Sequence, residues 1–105
     1  MSCNYYFREI PIDGAQILLK GVDELHIGQY AAGTCLLKRN AYYKTVEEME
    51  AFYRENADRL IIVDEAERKY SWEQLKEILL SAPPRNGHRF ERDEAGYAWY
   101  DEEFC

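Results

Sequence analysis

The sequence predicts an α+β domain: a mainly antiparallel sheet packed by two amphipathic helices in one compact unit, residues 1–105. Three observations lead there. Short apolar runs rich in aromatic and β-branched residues are bounded by glycine and turn residues. Two other stretches repeat apolar residues at helical spacing, each opened by a capping pair. The elements run strands, helix, short hairpin, helix, hairpin, without a regular strand–helix alternation. A chain of 105 residues is long enough to bury a core without staples.

Taken in order, Tyr5–Ile12 reads as a strand, and Pro11 suggests that it lies at an edge or near its end. Asp13-Gly14 supplies a two-residue turn, since glycine accepts positive φ. The return strand is then 15–20, with Ile10 opposite Ile17 and Ile12 opposite Ala15. Leu25–Gly28 and Thr34–Lys38 are the next strands, joined by a small-residue loop bounded by Gly28 and Gly33. The rest of the chain is organised around this stretch, 24–39.

Thr45 with Glu48 forms a capping box, and Val46, Met49, Phe52 and Tyr53 follow at helical spacing to about Asn56. Leu60–Val63 is a short buried strand, 64–67 a turn, and Arg68–Tyr70 a pairing return. Ser71 with Gln74 caps the second helix, whose stripe is Trp72, Leu75, Ile78 and Leu79. Pro83-Pro84 ends it. His88–Arg92 and Tyr97–Tyr100 form a last hairpin across 93–96, with Gly96 at the position that needs positive φ. The expected core is Leu25, Ile27, Leu37, Phe52, Ile62, Leu75, Ile78 and Leu79.

The net charge of −7 is unevenly spread. Residues 1–40 hold four basic and four acidic side chains, whereas 41–105 hold nine basic and sixteen acidic ones. This argues against direct binding of nucleic acid, which needs a basic footprint, and against anionic membranes. The longest apolar run, Leu60–Val63, is far too short to span a bilayer. Three widely spaced cysteines imply no disulfide framework. Without a secretory pattern at the start, a cytoplasmic location is expected.

The residues able to carry metal or nucleophilic chemistry are Cys3, His26, Cys35 and His88, none at ligand spacing. No cofactor or metal is expected. Cys35 with His26 is the one nucleophile–base pair that a hairpin would bring close, although alternation turns Cys35 toward the core. The C-terminal stretch is more informative. Its five carboxylates, Asp93, Glu94, Asp101, Glu102 and Glu103, are interleaved with aromatic residues and no basic one. Such a surface can mimic nucleic acid or fill a basic groove on a protein; the alternative is a terminal hairpin with a solvated acidic tip. Alternation puts Tyr97 and Trp99 on one side, so an aromatic pair beside Glu94 and Asp101, extended by Glu102 and Glu103, is the expected partner-binding site.

Four features together resemble a family of small uncharacterised phage- and prophage-encoded proteins. They are Asn4-Tyr5-Tyr6, Glu24-Leu25-His26-Ile27-Gly28, Ile62-Val63-Asp64-Glu65 before Tyr70-Ser71, and Asp93-Glu94-Ala95-Gly96-Tyr97 before Glu103-Phe104. In that family lysine and serines often follow His-Ile-Gly, where this chain has Gln29, Tyr30, Ala31 and Ala32. The family's frequent cysteine pair is replaced here by Ile17-Leu18-Leu19. The resemblance implies an origin in a mobile element. The function expected is binding of a host or mobile-element protein through its basic surface. Inhibition of a nucleic-acid-binding defence system, of the anti-CRISPR type, is its most concrete form. The alternatives are a small metal- or cysteine-dependent accessory enzyme and a phage assembly factor.

Overall fold

Strand β1 (Ser2–Glu9) carries Tyr5 and Phe7 on one face and Asn4, Tyr6 and Arg8 on the other. It pairs on both sides: with β2 (Glu24–Ala31) along its length, and with β4 (Leu60–Asp64) from Tyr5 to Glu9, both antiparallel. The computed structural model describes residues 2–11, 13–14, 16–19 and 22–102. The expected partner of β1 was the stretch 15–20. Its described part, 16–19, forms no strand, and Ile12, Ala15, Lys20 and Gly21 lie outside the described residues. The turn at Asp13-Gly14 is present, with Gly14 at φ +80°, but it opens a loop rather than a hairpin. Pairing β1 with β2 and β4 buries Tyr5 and Phe7 between two strands, which a local two-stranded ribbon cannot do.

β2 turns into β3 (Thr34–Lys38) through Ala32-Gly33. Both residues have positive φ, 51° and 76°, the backbone a two-residue hairpin of this twist requires. The strand therefore runs to Ala31, three residues past its expected end at Gly28. Gly28 has its own reason: a Cβ there would sit 2.5 Å from the Leu36 carbonyl oxygen across the pair.

α1 (Val46–Glu55) starts where the capping chemistry dictates. Thr45 Oγ1 accepts the Glu48 amide, and the Glu48 carboxylate takes the Lys44 amide. β5 (Lys69–Tyr70) pairs with β4. Ser71 and Gln74 complete a full capping box at the start of α2 (Trp72–Leu75). α2 then widens into a π-helical turn, Lys76–Leu80. That wider turn corrects one core assignment. Ile78 is 42% exposed, while Leu79 and Leu80 are buried, because a π turn advances the inward stripe from i+3/i+4 toward i+4/i+5.

β6 (Glu91–Arg92) and β7 (Ala98–Tyr100) form the last hairpin, shorter than expected, with Gly96 at φ +96°. β7 lies parallel to β3, Leu37 opposite Trp99, and Pro84 extends that line as a parallel bridge to Cys35. The sheet is therefore mixed, with order β5-β4-β1-β2-β3-β7-β6, rather than mainly antiparallel as the sequence led us to expect. The reason is connectivity. The chain leaves β3, builds the helices, and returns along the same edge of β3 in the same direction.

The core lies between the sheet and the helices. Phe7 meets the rings of Tyr43, Phe52 and Tyr53, and Tyr53 stacks on Trp72, tying β1, α1 and α2 together. Ile27, Leu37, Ile62, Leu75 and Leu79 are buried here as expected, and Leu25 and Phe52 are partly buried against them. Truncating Leu75 to alanine should therefore cost about 2–5 kcal/mol in urea unfolding, and Ile78 to alanine less than about 1 kcal/mol. Equal losses at the two positions would contradict the π-turn register.

Candidate functional site

The C-terminal hairpin is built around Asp93. Its Oδ1 accepts the Tyr97 amide and its Oδ2 accepts Trp99 Nε1–H, each at 2.9 Å. These bonds hold the indole inward. Trp99 is 0% exposed, near Tyr43, with the Arg39 guanidinium 5.5 Å from its ring centroid. The expected surface pair of Tyr97 and Trp99 is thus corrected. Alternation does put them on one side, but that side is the core, because β7 is paired to β3 and faces the helices. Tyr97 is half-buried.

The acidic residues of the expected site separate as well. Asp101 and Glu102 are exposed beside a cleft of about 250 Å³ shared with Arg89, Glu91 and Tyr100, and the Tyr100 hydroxyl donates to Glu102. Glu94 belongs to another groove, about 700 Å³, between the hairpin tip and the start of α1, where Tyr97 lines it as well, as expected, with Lys44, Glu47 and Arg92. Glu103 lies outside the described residues.

His26 and Cys35 do not come together. His26 pairs with Tyr6 and stacks on its ring, on the face away from the helices. Cys35 pairs with Tyr30 and sits in the core on the other face, where burial pushes its thiol up to about 12. Both features oppose a thiolate nucleophile with a histidine base. Among the described residues, no group of three or more His, Cys, Asp or Glu side chains is placed to hold a metal ion.

Two polar arrangements were not expected from the sequence. On the helix-free face, Asn4 Nδ2 donates to Glu65 while its Oδ1 lies 3.0 Å from His26 Nε2. Beside this row, Arg85 reaches across β3 to donate to Gln29 and Thr34. The second arrangement is Asp64, 1% exposed at the end of β4. Burial works against its charge. The Tyr70 hydroxyl, the Arg68 and Ala66 amides and the Arg68 guanidinium outweigh that and hold the carboxyl down to about 2. Asp64-Glu65 reads in sequence as turn chemistry, and Asp64 is that turn's buried acceptor.

No family model matches the chain, and no curated protein or solved structure shows significant similarity to it.

A depressed folded pKa means that the stability from Asp64 is present above its ordinary titration range and is lost as pH falls toward about 2. Urea midpoints should fall across this acid range in the wild type. Asp64→Asn should be less stable near neutrality and show a shallower acid loss. Parallel acid profiles for the two proteins would contradict this role.

Proposed function

We propose that the protein is a small acidic binding protein of phage or prophage type that covers a basic surface on a host or mobile-element protein. An inhibitor of a nucleic-acid-binding defence system, of the anti-CRISPR type, is the most concrete form of this reading. The observation that carries it is the outer surface of the helical layer. Glu47, Glu48 and Glu55 of α1 are exposed, as are Glu73 and Glu77 of α2 and its π turn. Arg54 pairs with Glu50 on its own helix and with Glu73 on the next, so carboxylates of the two helices lie on either side of one arginine. Asp101 and Glu102 add exposed carboxylates at the end of β7, and Glu94 adds one at the hairpin tip.

Such a surface acts mainly on association. Attraction to a basic partner speeds encounter and weakens with salt. Exposed charges contribute little to stability, so reversing them tests binding without unfolding the domain. We expect Glu47→Lys, Glu73→Lys and Glu77→Lys together to leave the domain folded, at a cost of up to about 1 kcal/mol for each first-turn charge reversed. They should cut capture of the partner from host lysate by about tenfold or more at low salt. Reversal of Asp101 and Glu102 should have a smaller effect. Equal recovery of the same partner by wild type and both variants would refute the proposal.

A further inference from the structure

The loop between β1 and β2 is held down by one carboxylate. Glu9 ends β1 with its side chain largely buried. Its Oε2 accepts the Leu18 amide at 2.7 Å and its Oε1 accepts the Leu19 amide at 2.8 Å. Arg59, just before β4, donates to Oε2 at 2.8 Å and also to the Gln16 carbonyl. These bonds seat Leu19, a 0% exposed core side chain that belongs to no strand or helix. The same loop turns Ile17 and Val22 outward, 68% and 50% exposed. Among the described residues of this loop, Leu19 is thus turned inward and Ile17 and Val22 outward.

We propose that Glu9 is a proton-operated latch. Ionised, it docks the loop and hides Leu19. Protonated, it releases the loop and adds Leu19 to the apolar surface already formed by Ile17 and Val22. The chemistry is a count of donors. Both oxygens accept from N–H groups, and Oε2 does so twice. A proton on Oε2 displaces one of its two donors, a proton on Oε1 leaves both oxygens weaker acceptors, and in either case the attraction of a carboxylate to the guanidinium is lost.

The Leu18 amide, then the Leu19 amide, then Arg59 hold the Glu9 carboxyl below its ordinary range, against the effect of burial. The docked loop is thus favoured above that range, and docking is lost as pH falls through the lowered value. Among the described residues, Arg59 is the charged group paired with Glu9. Arg8 and Glu24, its neighbours on β1 and β2, pair with each other on the opposite face of the sheet. Asp13, Asp23 and Asp58 are exposed.

Amide hydrogen exchange on the protein alone, with protection factors corrected for intrinsic rates, tests the latch. Between about pH 6 and pH 3 the Leu18 and Leu19 amides should lose about tenfold or more in protection, while β1 and β4 amides keep theirs. Glu9→Gln should show the low protection already at pH 6. Arg59→Met should move the transition to higher pH, because losing the cation makes Glu9 easier to protonate. Loss of the loop amides only together with the strand amides would overturn the latch. So would wild-type protection in Glu9→Gln, or an unmoved midpoint in Arg59→Met.

Discussion

The structure depends on β1 being paired on both sides. With β2 on one edge and β4 on the other, the backbone from Tyr5 to Arg8 lies between two paired strands. Only then is Phe7 central enough to meet Tyr43, Phe52 and Tyr53 at once. That aromatic contact seats α1 on the sheet, and Tyr53 passes the constraint on to α2 through Trp72. The site follows from the same arrangement. β3 lies beside β2, β7 takes the far edge of β3, and Trp99 is directed into the core instead of toward solvent.

The pairing also separates the two faces chemically. The register between β1 and β2 slips after Tyr5, so that Tyr5 opposes Gly28 and Tyr6 opposes His26. Ile27 is the extra residue, and it is fully buried. On the far side of the sheet, His26, Asn4 and Gln29 are buried without a helical cover, each beside a hydrogen-bonding side chain. The helix face holds the apolar core, and the outer surface of the helices carries exposed carboxylates. The far face also buries Leu36, paired with Gln29, and Val63, paired with Tyr6, so it combines hydrogen bonds with apolar packing.

What could be read in the sequence was local. Thr45, Ser71 and Gln74 mark helix starts, because capping uses neighbours three residues apart. Gly96 marks its turn for the same reason. What could not be read was non-local. Asp13-Gly14 is a good turn signal, yet the two strands it would join give way to partners 16 and 50 or more residues away, as Arg8 opposite Glu24 and Ile61 illustrates. Ile78 fits a helical stripe until the helix widens. For Trp99 the alternation was right and the face was wrong, since nothing in 93–105 says that β7 joins β3. Glu9 gave no signal at all: its three partners lie 9, 10 and 50 residues away.

The central position of β1 can be measured directly by interstrand nuclear Overhauser contacts in the isotopically labelled protein. The account predicts contacts from Tyr6 to both His26 and Val63, and from Leu37 to Trp99 in a parallel pattern. A ladder joining Ile10 to Ile17, with none from Tyr6 to Val63, would place β1 at an edge and contradict it.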